Sequence, residues 1–503
     1  MKLNSPLKKF FKLSENISNV MEKFTKIIAT IGPASDSKDK IKKLNKKGVD
    51  VFRLNFSHGD YQYFDKVIKS IREVNQEIPI LLDTKGPEIR TGDLDNELSL
   101  DDGQNIYLTS KNEKSEKDKI TINYPSLSKV GKGSKIMLDD GQIEVEVVEN
   151  NEEGDLKGRV ISGGSLGSKK TVSIRGHDIN LDFLTDKDKE DIIFGLQKGI
   201  DFIAASFVRT GDDIDKLREF VKHYNENTKI ISKIEHPKAV ENIDCIIEKS
   251  DGVMVARGDL GVELPIEKVP AIQDDIISKC NLKSKPVIVA TQMLESMKSS
   301  KLPTRAEVAD VANAIMQGTD AVMLSAETAI GKYPQEAVSV MKNIAKEHEF
   351  KASSAVEKYD KMISHNKDKR DPISSFISKS AYMSSKELNL KAIFTITESG
   401  FSARMISRFK PNTKIYAVTR DQTVNRQLDL SWGVSCILLE KEFTSHEQII
   451  DHLVNEKYKN KELSKEDIIA FTAGDKVLES GFTHSLEIYK VEWIIERIES
   501  KKK

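Results

Sequence analysis

Cysteine is scarce in this chain. Its 503 residues include only Cys245, Cys280 and Cys436, far apart and without CxxC spacing, which excludes a disulfide framework and a cysteine-built metal site and fits a reducing, cytoplasmic setting. No apolar run approaches the ~20 residues of a membrane-spanning helix. A strong charge of one sign is missing too: net charge is −1 and the pI is near 6.8, so no overall field draws nucleic acid or anionic lipid. Any anion binding must therefore be local. The first two dozen residues carry Lys2, Lys8, Lys9 and Lys12 but no uninterrupted apolar core, which argues against a secretory signal. Without arginine they also make a poor transit peptide, and the segment reads as a helical arm.

What is present is a globular composition, 38% hydrophobic and 31% charged, with length for roughly three domains. Apolar runs of strand length fall at 27–31, 49–54, 78–82, 200–205, 229–234, 252–256, 286–290 and 320–324. Amphipathic helix patterns separate most of them, at 212–223, 237–249, 266–279, 304–317 and 334–349. Near-continuous apolar strands alternating with helices predict a parallel sheet covered on its outer face, and eight such units predict a closed (β/α)8 TIM barrel. Thr304-Arg305-Ala306-Glu307 is a capping box that marks one helix start.

The C-terminal strand ends carry the chemistry. In order they present Thr30; Arg53, Asn55 and Ser57; Asp83 and Lys85; Ser206; Lys233 and Glu235; Arg257 and Asp259; Thr291; Ser325 and Glu327. Any one of these could be a cap or a surface ion pair. Eight successive polar strand ends instead describe the rim where a barrel places its active site. Glu235 and Asp259 close neighbouring strands, and two carboxylates beside a lysine and an arginine suit a hard cation such as Mg²⁺ that also holds a phosphate or carboxylate ligand.

After the third strand, helical periodicity stops until about residue 186. Alternating segments at 142–148 and 171–174, with turns at Asp139-Asp140-Gly141 and Gly163-Gly164, predict a small inserted β domain at the rim, most simply a lid. The glycines from Gly163 to Gly167 lack dinucleotide-fingerprint spacing and read as turn residues. Beyond about residue 351 a lysine- and serine-rich stretch leads into a second α/β pattern, with strands expected at 392–396, 414–418, 434–438, 468–471 and 489–494, an open and mostly parallel sheet. Its first strand runs into Thr397-Glu398-Ser399-Gly400-Phe401-Ser402, either a phosphate pocket at a helix N-terminus or an ordinary N-cap and turn. The expected divisions are an N-terminal helical arm (1–24), the barrel (25–86 and 182–355), the β lid (87–181) and a C-terminal α/β domain (356–503).

From about Lys26 to Glu487 the chain resembles the pyruvate kinase family. The matching runs are Thr30-Ile31-Gly32-Pro33-Ala34-Ser35, Arg53-Leu54-Asn55-Phe56-Ser57-His58-Gly59, the segment from Asp83 to Gly92, Lys233-Ile234-Glu235, Met254 to Gly261, the run from Ala290 to Met297, and Leu324-Ser325-Ala326-Glu327-Thr328. The resemblance implies a lid after the third strand, a C-terminal regulatory domain and a homotetramer. It also implies phosphoryl transfer from phosphoenolpyruvate to ADP, giving ATP and pyruvate in the last step of glycolysis. Two rivals are a metal-dependent aldolase or lyase of pyruvate-like substrates, which has no need of the lid, and a catalytically inactive scaffold, which would have lost rim residues.

By resemblance, Glu235 and Asp259 hold Mg²⁺ or Mn²⁺, while Asn55, Ser57, Asp83 and Thr84 hold K⁺. Lys233 and Arg53 contact the moving phosphoryl group, and Gly258, Asp259 and Thr291 contact substrate. Thr291, Ser325 and Glu327 serve protonation through a water chain, since a threonine hydroxyl has no useful pKa near neutrality. Pro33, Asn55, His58, Arg90 and Lys170 face the nucleotide. Thr397, Ser399 and Ser402 bind a sugar-phosphate effector, a monophosphate rather than a bisphosphate, because Asp475 and Glu479 oppose a second phosphate and Lys476 offsets them only in part. The family pattern after the lid lysine is Gly-Val-Asn-Leu-Pro-Gly; this chain departs from it with Thr171-Val172-Ser173-Ile174-Arg175-Gly176.

Overall fold

The computed structural model describes residues 23–111, 114–116, 118–150, 155–177, 181–352, 372–474 and 483–501; most of the expected N-terminal arm lies outside them. Eight parallel strands close into a barrel: β1 (Lys26–Thr30), β2 (Val51–Asn55), β3 (Ile80–Asp83), β4 (Phe202–Ala205), β5 (Lys229–Ile234), β6 (Gly252–Ala256), β7 (Val287–Ala290) and β8 (Ala321–Leu324). Lys26 opposite Ala321 makes the closing register. All eight expected strands are present.

Strand alternation divides the barrel residues between two cores. Ile27, Ala29, Phe52, Leu54 and Leu82 pack outward under the helices. Ile28, Val51, Leu81, Ala204, Ile231, Met254, Ile288 and Met323 fill the interior. On six of the eight strands the position two residues beyond an inward apolar side chain is polar: Ile28 leads to Thr30, Val51 to Arg53 and Asn55, Leu81 to Asp83, Ala204 to Ser206, Ile231 to Lys233 and Glu235, and Met323 to Ser325. The period of two that fills the barrel therefore also delivers the rim chemistry.

Two expected helices are divided. The pattern at 237–249 forms Pro237–Glu241 and Ile243–Lys249, because the Asn242 side chain donates to the carbonyls of Lys238 (2.9 Å) and Arg209 (3.2 Å), a local bond that competes with the helix. The pattern at 266–279 begins as a 3₁₀ turn, Ile266–Lys268, before the helix Val269–Leu282. The capping box at Thr304 is made, with Glu307 as its partner.

The insertion between β3 and the helix Asp186–Gln197 is a six-stranded sheet with its own apolar core. Its edge strand, Val172–Arg175, pairs with Lys135–Leu138. Gly163 does more than turn the chain: a Cβ there would lie 2.1 Å from the Leu100 carbonyl oxygen, where Gly164–Leu166 pairs with Leu98–Leu100.

The C-terminal sheet runs in the order Val434–Leu438, Lys414–Thr419, Ala392–Ile396, Ile468–Ala473, Ser485–Lys490, the last antiparallel. The strand expected at 489–494 is a correction. The strand ends at Lys490, and Val491–Ser500 is a helix that buries Val491, Ile494 and Ile495 and exposes Trp493, a spacing of three and four rather than two. This domain closes the N-terminal end of the barrel. Leu430 joins the interior apolar cluster with no exposure, Arg426 Nε donates to Asp201 Oδ1 at 2.6 Å, and Gln427 Nε2 donates to the Asn227 carbonyl at 2.7 Å.

Candidate active site

The opposite, C-terminal end of the barrel gathers the polar strand ends into one bonded network. Arg53, from β2, donates to Asp83 Oδ2 (2.6 Å) and to Thr30 Oγ1 (2.9 Å). Lys233, from β5, sits between carboxylates, 3.0 Å from Asp83 Oδ1 and 2.8 Å from Glu235 Oε1, and donates to Ser206 Oγ at 2.6 Å. The Ser206 hydroxyl in turn donates a hydrogen bond to the Thr84 carbonyl at 2.7 Å. Glu235 Oε2 accepts the Phe207 N–H at 2.7 Å. Arg53, Asp83 and Glu235 are buried.

This packing sets the charges. Burial by itself would raise the Asp83 carboxyl, but Arg53 and Lys233 outweigh it and hold Asp83 below the usual carboxylate range. Burial would lower the Lys233 ammonium; Asp83, Glu235 and Asp259 reverse that and keep it charged. Asp259 borders the open cleft, yet the protein packed round it strips hydration, and with the charge of Glu235 pushes its carboxyl up to about 7. Two acids in such mutual tension are a donor set that a divalent cation relieves. Among the described residues no group of three or more His, Cys, Asp or Glu side chains converges on a metal position, so an ion held by this pair would complete its shell from substrate and water.

Thr291 follows β7 in the left-handed region, φ 66°, and Gln292 follows at φ 51°, a conformation a β-branched residue adopts only when its surroundings impose it. Arg257 imposes it. Its guanidinium donates to both oxygens of Asp310 (2.8 and 2.7 Å) and to the carbonyls of Thr291 (2.8 Å) and Gln292 (3.1 Å). The Thr291 hydroxyl donates to the Ala290 carbonyl and accepts the Gly258 N–H at 2.7 Å, so that amide, expected to face substrate, is already engaged. Glu327 accepts the N–H groups of Leu294 (3.0 Å) and Ser325 (2.8 Å), binding the loops after β7 and β8 together; burial raises its carboxyl. The Ser325 hydroxyl is buried without a partner among the described residues.

Asn55 and Asp83 are register partners on β2 and β3, and Asn55 Oδ1 accepts the Ser57 N–H at 3.2 Å, so Asn55, Ser57, Asp83 and Thr84 share one corner of the rim. Pro33 and His58 are exposed nearby on the loops after β1 and β2. Lys170 pairs with Asp139 inside the lid at 2.9 Å, and Arg90 with Glu88 at 2.8 Å. The lid stands over the rim and encloses a cleft of ≈ 810 Å³ including its mouth, with Glu235 and Asp259 on its floor and Met137, Val172 and Ser173 in its roof.

Far from this cleft, the loop from Thr397 to Ser402 has the hydroxyls of Thr397 and Ser402 in use. Gly400, at φ 75°, donates its N–H to Thr397 Oγ1 (3.0 Å), and Ser402 Oγ meets Thr483 Oγ1 at 2.5 Å. The Ser399 carbonyl accepts from Arg404 at 3.3 Å. Asp475, Lys476 and Glu479 lie outside the described residues.

Sequence reasoning noted Ser206 without giving it a role and missed Asp310, whose helical position carries no motif. A closed parallel barrel with a half-buried lysine held between acids, a carboxylate pair and a lid over them defines an enzyme of charge-stabilised group transfer. The pyruvate kinase barrel domain matches residues 22–338, and the pyruvate kinase alpha/beta domain matches residues 375–489. A pyruvate kinase of Geobacillus stearothermophilus is 43% identical over 479 residues, 94% of this chain and 81% of that protein. One of Bacillus licheniformis is 44% identical over 475 residues, 93% of this chain and 80% of that protein. A crystal structure of a pyruvate kinase from Cryptosporidium parvum superposes with a TM-score of 0.86 at 36% identity, covering 93% of this chain and 96% of that one. The chain belongs to the pyruvate kinase family and is a phosphotransferase; the lyase and scaffold readings fall away. No helix among the described residues is long and apolar enough to cross a membrane.

Proposed function

We propose that the rim cleft transfers the phosphoryl group of phosphoenolpyruvate to ADP, giving ATP and an enol that is protonated to pyruvate, the last step of glycolysis. The observation that carries the reading is Lys233, half-buried and charged between Asp83 and Glu235 at the mouth of the barrel. Phosphoryl transfer asks for positioning and charge neutralisation more than covalent chemistry. Lys233 supplies a compact positive charge for the moving group, and Arg53, held by Asp83 and Thr30, supplies a second in fixed orientation. Glu235 and Asp259 would hold Mg²⁺ or Mn²⁺, which would neutralise charge on the substrate phosphate and carboxylate, and Asn55, Ser57, Asp83 and Thr84 would hold K⁺, which would balance the acid beside them.

Gly258, Asp259 and Thr291 line the substrate's carboxylate side. The unpartnered Ser325 hydroxyl, on the same loop as Glu327, suits a water chain that brings the proton to the enol carbon. Pro33, Asn55, His58, Arg90 and Lys170 receive ADP; Arg90 and Lys170 exchange their present carboxylate partners for phosphate oxygens. The division into barrel (25–86, 182–355), lid (87–181) and C-terminal domain (356–503) belongs to this reading, as do a cytoplasmic homotetramer and a sugar-phosphate effector at Thr397, Ser399 and Ser402. Pyruvate release from phosphoenolpyruvate, followed with and without ADP and Mg²⁺, tests the reaction. ADP-independent pyruvate formation, or none at all, overturns it.

A further inference from the structure

Two lid side chains that the reaction chemistry does not use reach across to the barrel. In the edge strand Val172–Arg175, Val172 and Ile174 are buried in the lid core, so alternation turns Ser173 and Arg175 the other way. They meet the helix Arg257–Glu263, which carries Gly258 and Asp259 in its first turn. Arg175 Nε donates to the Val262 carbonyl at 2.5 Å, and Nη2 to those of Gly261 (3.1 Å) and Leu264 (3.3 Å). The Ser173 hydroxyl donates to Glu263 Oε1 at 2.6 Å.

Those carbonyls need an outside donor. The last bond of this helix runs from the Leu264 N–H to the Leu260 carbonyl, and the residue whose N–H would reach Gly261 is Pro265, which has none. A guanidinium at this end satisfies the stranded carbonyls and complements the negative pole of the helix. A seven-residue helix has little stability of its own, so the lid contact helps to keep the whole helix, Asp259 included, in register.

We propose that Arg175, assisted by Ser173, is a positioning residue for phosphoryl transfer: it latches the lid to the C-terminal end of the helix whose first turn presents Asp259, before any ligand arrives. The proposal rests on Asp259 serving the substrate, as argued above, but the latch is a property of the unliganded chain. Without it, part of the population has an open lid and a frayed helix, and substrate must first restore the competent state. KM then rises by the reciprocal of the competent fraction, while kcat at saturation is preserved.

Hydrogen exchange on the unliganded protein, with steady-state kinetics beside it, tests the latch. In Arg175→Met the amides of residues 172–175 and 260–264 are expected to exchange at least about tenfold faster, the scale of losing one or two net hydrogen bonds. KM for phosphoenolpyruvate rises by a similar factor and kcat stays within about twofold. Arg175→Lys, which offers a point donor in place of a fork, recovers part of both effects. Unchanged exchange at 260–264, an unchanged KM, or a fall in kcat alone each overturn the proposal. If Arg175→Met does not fold, Ser173→Ala carries the test: faster exchange in both segments supports the latch, and parental exchange overturns it. A parent protein that forms no pyruvate sinks the proposed reaction, while the exchange result still judges the latch.

Discussion

Lys410, from the C-terminal domain, and Asp320, at the base of β8, form an ion pair of 2.7 Å with side-chain exposures of 0% and 6%. The same carboxylate accepts the N–H groups of Trp432 and Val287, each at 3.1 Å. One acid thus ties the barrel's closed end to two points of the C-terminal domain. Burial lowers the hold of Lys410 on its proton, and Asp320 offsets this only in part. Lys410→Met leaves the carboxylate buried without its cation, which is expected to cost about 3–5 kcal/mol. Denaturant midpoints measure it, and a loss below about 1 kcal/mol, the figure for exposed pairs, would refute the role.

Lys233→Ala is expected to fold, to keep Mg²⁺ binding, and to lose at least about 100-fold in turnover, the scale for removing one preorganised charge-stabilising group. Without the ammonium, Glu235 loses its cation and Asp83 keeps only Arg53, so the substrate phosphate meets more negative charge. Near-normal turnover in folded Lys233→Ala would rule out the assignment.

Potassium is expected to be required alongside Mg²⁺. The oxygens of Asn55, Ser57, Asp83 and Thr84 suit a hard cation, and Glu88 after Gly86-Pro87 accompanies a monovalent-ion requirement in the family this chain resembles. Titrating K⁺ into an assay free of K⁺ and Na⁺ decides it; full activity at zero K⁺ counts against the site.

Asp429 sits at the seam between barrel and C-terminal domain, where burial first, and Asp50 and Glu77 against the opposing Lys26, push its carboxyl up to about 7. The native state therefore holds this proton more tightly than the unfolded chain, whose carboxyl titrates near ~3.9. Stability from this group falls as pH rises from about 4 to about 7 and stays reduced above. Asp429→Asn is expected to raise the melting temperature at pH 8 and to change it little at pH 4. Equal shifts at both pH values would show the carboxyl titrating normally.

If the loop from Thr397 to Ser402 receives an effector phosphate, a sugar monophosphate shifts phosphoenolpyruvate saturation in the parent, and Ser399→Ala/Ser402→Ala abolishes the shift. An equal shift in both proteins places the site elsewhere. No shift with any sugar phosphate leaves the loop a helix cap, in keeping with its present bonds to Gly400 and Thr483.

The barrel and its rim were legible in the chain because both depend on one local rule. Apolar runs of strand length mark β1 to β8, and the alternation that buries Ile231 must also bring Lys233 and Glu235 inward. The lid was legible as a loss of helical period, whereas the end of the C-terminal sheet was misread because Tyr489, Val491, Trp493 and Ile494 satisfy a short strand pattern and a helix start equally well. Burial of Val491, Ile494 and Ile495 together settles it for the helix.

Contacts between distant segments left no such trace. Leu430 reads as an ordinary loop leucine until the C-terminal domain sets it in the base of the barrel. Arg257 looks like one more rim cation, but Asp310, 53 residues on, makes it the brace that holds Thr291 at positive φ. Arg175 stood out only as a departure from the family pattern; its meaning depends on the three carbonyls that folding brings to it. Local sequence determines which residues face inward on each strand, because side-chain direction follows from backbone geometry alone. Which charges neutralise one another, and which loop braces which, depends on distances across the fold, and only the tertiary structure decided those.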